Sequence, residues 1–154
     1  MNIVIRSLEI ATEGHKGQHR WDKSPYINHP IAVANIAVGL NESLGLGLKD
    51  DILRALGHTH DLPEDVKKYL NNELLVEEEL FGHLAPIKDR ATFSTALYAL
   101  NKHRHANYLA FTLAAKAHPY ARVVKMADLT HNLSDLTKGS MADKYKLALY
   151  ILNN

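Results

Sequence analysis

Apolar residues recur at three- and four-residue spacing along nearly all of this chain, and no segment alternates apolar and polar residues with a period of two. That pattern lets the backbone bury one face of each of several helices and leaves no strand from which to build a sheet. The expected fold class is all-α, a compact multi-helix bundle. With 154 residues, 46% of them hydrophobic, residues 1–154 suffice for a single domain with a sizeable core. No internal repeat, low-complexity tract or linker divides them.

The punctuation between helices is also legible. Ile3, Val4, Ile5, Leu8 and Ala11 share a face, and Gly14 supplies a stop. A polar stretch follows to Asn28, broken by Gly17 and Pro25. Pro30–Leu40 reads as a second helix, with His29 just ahead of it and Pro30 suited to the first helical position. Asn41–Leu48 reads as a loop. Asp50 or Asp51 can cap a third helix running to His60, and Pro63 disfavours helical geometry at Leu62. Val66–Leu80 has helical composition divided at Asn71-Asn72 and closed at Phe81-Gly82. Ala91–Leu100, Asn107–Ala117, Tyr120–Leu136 and Met141–Leu152 complete the set, the last with Tyr145, Leu147, Ala148, Ile151 and Leu152 facing inward.

Several function classes are excluded by composition. The chain has no cysteine, so disulfides, thiolate metal sites and thiol nucleophiles are out. A formal net charge of +1 gives no basic field for nucleic acid. The N-terminal apolar residues are interrupted by Arg6 and Glu9, unlike a signal peptide, and no run approaches the roughly 20 residues that span a bilayer. A soluble, cytoplasmic protein with no membrane partner is expected. Any metal must be held by histidine, carboxylate and water, and the 10 histidines make such a site plausible.

The chemistry concentrates in His58-Thr59-His60-Asp61-Leu62-Pro63-Glu64-Asp65. His60-Asp61 alone reads equally as a polar helix end, since neighbours on a helix face different ways unless it unwinds there. Glu64-Asp65 after Pro63 suits the positive end of a helix dipole, and equally suits proton transfer beside a reacting water. His29 precedes a helix. Asp128 interrupts an apolar helical stretch, a costly position unless paired or bound to a cation. Asn132 lies one turn further on the same face. Two imidazoles and two carboxylates would leave an octahedral ion about two open positions, which suits manganese, iron or magnesium. The loop His15–Lys23 holds the local basic cluster, where Lys16, Arg20 and Lys23 can meet phosphates and Trp21 can stack or pack. Lys102-His103-Arg104-His105 is a second basic stretch.

In this order, the segments His15-Lys16-Gly17-Gln18 to Arg20, Pro25-Tyr26-Ile27-Asn28-His29-Pro30, His60–Asp65, and Ala121–Asp128 to His131-Asn132-Leu133 resemble the HD-domain hydrolases of the alarmone (p)ppGpp. These are the hydrolase half of the long RelA/SpoT enzymes and the stand-alone Mesh1-type small alarmone hydrolases. The resemblance spans most of the chain. It implies one Mn2+, with Fe2+ or Mg2+ as substitutes, held by His29, His60, Asp61 and Asp128. It implies that Glu64 and Asp65 handle the attacking water and proton transfer, and that Arg20 and Asn132 line the nucleotide pocket. The reaction implied is removal of the 3′-pyrophosphate of ppGpp or pppGpp. The chain's end near Asn154 leads one to expect no synthetase domain. Two positions depart from the family pattern: Trp21 stands where lysine is usual, and Lys23 where glycine is usual. They motivate an alternative small-molecule substrate, NADPH or another nucleoside phosphate. A non-catalytic nucleotide-binding domain is a third reading.

Overall fold

The computed structural model describes residues 2–83 and 85–154. They form helices α1 (Ile3–Gly14), α2 (Asn28–Ser43), α3 (Asp50–Thr59), α4 (Leu62–Asp65), α5 (Glu73–Phe81), α6 (Ile87–Ala99), α7 (Tyr108–Ala117), α8 (Pro119–Asp135) and α9 (Ser140–Asn153). Short 3-10 turns cover Lys67–Tyr69 and Lys102–Arg104. Among the described residues there is no strand, only one isolated antiparallel bridge between His19 and Pro25. The all-α expectation therefore holds.

Helix starts follow side-chain chemistry. Asn2, Asn72 and Asn107 each accept a hydrogen bond from a backbone N–H of the turn that follows, and so open α1, α5 and α7. The expected Asp50 or Asp51 cap is not formed. Lys49 occupies that position without a side-chain bond, and both acids lie inside the first turn, where the helix dipole still favours them. Two helices also extend beyond their expected bounds. Helix α2 takes in His29 at its start and runs on to Ser43, and α6 begins at Ile87, next to Pro86. In α2, the buried Asn41 side chain ties the helix to the Leu48 backbone and to Asp50.

Helix α3 is the hub, packing against α1, α2, α6 and α8. Its tightest crossing is with α2 at Gly57. A Cβ there would lie 2.6 Å from Ala34 Cα, a backbone atom that cannot give way. Only glycine lets these two axes approach so closely. The crossing matters because His29 lies one turn N-terminal of Val33 on α2, and His60 lies one turn beyond Gly57. Helix α8 packs on the other flank of α2, with Ala121 and Val123–Leu129 all buried. Helices α7 and α9 pack on α8. On α9 the inward face is Ala142, Ala148 and Leu152, with Tyr145 and Leu149 packed against the core. Leu147, expected to face inward, is 61% exposed. It is the immediate neighbour of Ala148, about 100° further round the helix.

Candidate metal centre and cleft

Three separated stretches of chain converge on one buried cluster. His29 comes from the first turn of α2, His60 and Asp61 from the turn that ends α3, and Asp128 from the middle of α8. Helix α3 stops at Thr59, and α4 restarts at Leu62 with Pro63 in its first turn. That break lets two adjacent residues serve one site, which a continuous helix forbids. His29 Nε2 lies 2.9 Å from Asp128 Oδ1 and 3.7 Å from Asp61 Oδ2. His60 Nε2 lies 3.2 Å from Asp61 Oδ2 and 3.5 Å from Asp128 Oδ1. His29, His60 and Asp128 each bring a ligand atom within 4.8 Å of the others, a spacing that suits one cation.

The hydrogen bonds behind these atoms fix their chemistry. His60 Nδ1 donates to the Gly57 carbonyl at 2.7 Å, so in the neutral ring Nε2 carries a bare lone pair. That nitrogen is buried, makes no hydrogen bond, and faces two carboxylates. Burial alone would depress His60. The Asp61 and Asp128 carboxylates reverse this and hold it up to about 10. The cluster thus calls for positive charge between Nε2 and the carboxylates, from a proton or a metal ion. His29 Nδ1 shares a 2.7 Å hydrogen bond with His131 Nδ1, which orients the ring. Tyr26 Oη donates to Asp61 Oδ2 at 2.6 Å. Lys125 Nζ pairs with Asp128 Oδ2 at 2.9 Å, leaving Oδ1 to the imidazoles. Although both are buried, the Lys125 ammonium keeps the Asp128 carboxyl well below the usual carboxylate range.

Beside the cluster opens a cleft of about 370 Å³, the size range of a small-molecule site. Glu64 and Asp65 line it with Asp61. Burial and the Asp61 charge push Glu64 up to about 7, against the opposing pull of the Lys102 backbone N–H. That N–H donates to Glu64 Oε1 at 2.9 Å. Asp65 is raised for the same first two reasons. Arg20 also lines the cleft, and its guanidinium donates to Asn132 Oδ1 at 3.2 Å and to Asp135 Oδ2 at 3.1 Å. Asn132 in turn donates to Asp128 Oδ1 at 3.1 Å, joining the basic loop to the cluster.

Not every expected residue arrives. Lys16 and Lys23 are exposed and do not line the cleft. Lys16 follows the end of α1 in a turn bonded from Gln18 N–H to the His15 carbonyl. Lys23 sits at the tip of a tight turn with φ of 69°, the left-handed region that favours glycine. Its N–H donates to the Arg20 carbonyl, and the Arg20 N–H donates to the Ser24 carbonyl. From the second basic stretch, Lys102 does line the cleft, whereas Arg104 turns to Glu73 and the Asn71 carbonyl. His58 is packed against Ser7 Oγ at 2.8 Å, and burial depresses it to about 4. Lys125, Lys144, Tyr108, Phe111, Tyr145 and Trp21 also line the cleft. Helix-face reasoning offered no signal for Tyr108 or Lys144. The one signal for Lys125 was its place one turn ahead of Asp128.

An all-helical scaffold that gathers two imidazoles and two carboxylates beside the further carboxyls of Glu64 and Asp65 defines a metal-dependent hydrolase class of site. The HD domain family model matches residues 26–133, more than half of the chain. Guanosine-3′,5′-bis(diphosphate) 3′-pyrophosphohydrolase MESH1 of Homo sapiens is 30% identical over 137 residues, 88% of this chain and 70% of that protein. MESH1 of Xenopus tropicalis is 32% identical over 140 residues, with the same 88% and 70% shares. A guanosine-3′,5′-bis(diphosphate) 3′-pyrophosphohydrolase of Haemophilus influenzae is 31% identical over 129 residues, 82% of this chain but only 18% of that protein. The chain belongs to the HD-domain family, as a Mesh1-type hydrolase.

Proposed function

We propose that residues 1–154 act as one catalytic domain that hydrolyses the 3′-pyrophosphate of ppGpp and pppGpp, giving GDP or GTP and pyrophosphate. The observation that carries this reading is the bare, buried His60 Nε2 facing Asp61 and Asp128. In the same cleft Glu64 is tuned to about 7. The MESH1 relatives are named for this reaction. Among the described residues no helix is long and apolar enough to cross a membrane, and we place the reaction in the cytoplasm.

His29, His60, Asp61 and Asp128 would hold one divalent ion, and their nitrogen and oxygen donors suit manganese, with iron or magnesium as substitutes. Such an ion lowers the pKa of water and neutralises charge on the substrate's phosphate oxygens. The protein's own groups do the rest. Arg20, Lys102 and Lys144 supply positive charge in the cleft, and Asn132 holds Arg20 in place. The attacking water oxygen bonds to the phosphorus attached at the 3′ position. The bond from that phosphorus to the 3′ oxygen breaks. Glu64 takes a proton from the water, and a proton passes through the Asp65 carboxyl to the leaving 3′ oxygen.

The test is release of pyrophosphate and GDP from ppGpp by metal-stripped protein, with and without added manganese. Manganese-dependent release is the expected result. A protein that binds manganese yet leaves ppGpp and pppGpp intact would refute the substrate.

A further inference from the structure

Trp21 is the only tryptophan of the chain. It lines the cleft yet remains 58% exposed, so it lies at the mouth. The other aromatic residues of the cleft are already engaged. Lys144 Nζ sits 4.4 Å from the Tyr108 ring centroid and 5.6 Å from that of Tyr145. Lys125 Nζ sits 4.5 Å from that of Phe111. Tyr26 lies tilted against His15, with ring centroids 4.7 Å apart, and donates to Asp61. The Arg20 guanidinium carbon lies 5.4 Å from the Trp21 indole centroid. That guanidinium is itself held by Asn132 and Asp135. The loop is pinned on both sides of Trp21 by the Arg20–Ser24 and Lys23–Arg20 backbone bonds. The indole is therefore presented by a rigid turn, with a cation on one side and ring surface open to the cleft mouth.

We propose that Trp21 is a stacking platform for the nucleobase of the substrate and sets specificity at the cleft mouth. A neutral indole reads the π-face of a base and brings no charge to a phosphate. Because every base offers a π-face, such a platform tolerates different bases. Selection against a base must then come from elsewhere in the cleft. The proposal rests on reading the cleft as a nucleotide site.

Because Trp21 is the sole tryptophan, its fluorescence reports contact directly. Manganese-loaded protein would be titrated with GDP, ADP and inorganic pyrophosphate, with calorimetry in parallel on Trp21→Ala and Trp21→Phe. Both nucleotides should quench the fluorescence saturably, and pyrophosphate should not. Trp21→Ala should weaken GDP and ADP about 5- to 100-fold and leave pyrophosphate unchanged, the range set by alanine substitution of base-stacking aromatics. Trp21→Phe should recover most of that loss. The proposal is overturned if Trp21→Ala binds GDP as tightly as the parent, if pyrophosphate alone quenches as strongly as GDP, or if neither nucleotide binds. Intact stacking in a protein that leaves ppGpp unhydrolysed would count against the proposed reaction alone.

Discussion

Replacing Glu64 by glutamine should make the metal-free protein more stable at alkaline pH while abolishing most turnover. Glu64 has an ordinary value of 4.5 and is pushed up to about 7 by burial and by Asp61. A carboxyl raised in the folded state stabilises the fold relative to its ionised form below the unfolded value. That contribution is lost as pH rises through the folded value. At about 1.36 kcal/mol per decade of proton affinity, the parent gives up about 3 kcal/mol by pH 8 and about 1 kcal/mol by pH 5. Glutamine is never ionised, and its carbonyl can still accept the Lys102 N–H that Glu64 Oε1 accepts at 2.9 Å. The stability difference between variant and parent should therefore move by about 2 kcal/mol in the variant's favour from pH 5 to pH 8. Urea unfolding of both proteins, stripped of metal, at the two pH values measures this, and titrating groups distant from Glu64 cancel in the difference. Adding manganese should shrink the gap, because a cation beside Asp61 favours the ionised Glu64. A variant that is less stable than the parent at pH 8, or a difference that ignores pH, would refute the placement of Glu64 as a buried, charge-opposed carboxyl.

Asp61→Ala should lose bound metal and activity together, read by elemental analysis and pyrophosphate release; full activity without the metal would remove Asp61 from the site. Gly57→Ala puts a methyl 2.6 Å from the Ala34 backbone and should cost at least about 1–3 kcal/mol in urea unfolding. It should also weaken manganese binding by moving His60 away from His29. Lys125→Met leaves Asp128 buried without its 2.9 Å partner, so metal-free stability should fall by about 3–5 kcal/mol. Saturating manganese should restore a large part of that loss, because the ion replaces the missing charge.

The helices were legible because each rests on local signals. Asn72 and Asn107 sit where an N-cap belongs, and Gly82 where a helix stops. The errors lie where a tertiary contact outranked a local signal. Asn41 holds the end of α2 through Leu48 and Asp50, which no local pattern announces. The turn at His60-Asp61 was readable from Pro63, which disfavours helix before it. Residues that gain their place from distant chain were not readable. Lys102 reaches Glu64 across 38 residues, and Tyr108 and Lys144 meet because α7 packs directly on α9. Lys16 and Lys23 show the converse. Their charge and spacing suggested phosphate contacts, yet the backbone bonds of the Arg20–Ser24 turn leave Lys23 at an exposed tip.

The charge arrangement explains why the scaffold needs its unusual interior. Asp61 and Asp128 are both buried, and among the described residues the buried Lys125 pairs with Asp128. With both imidazoles neutral, that leaves one uncompensated negative charge in a region where water cannot screen it. A proton on His60 satisfies it in the absence of metal, which is why His60 is held up to about 10. A divalent ion would satisfy it more fully and would also lower the Glu64 carboxyl towards its ionised, proton-accepting form. Metal affinity and acid–base readiness are thus set by the same imbalance. Lys125 limits its size by neutralising one oxygen of Asp128 while leaving the other free to bind.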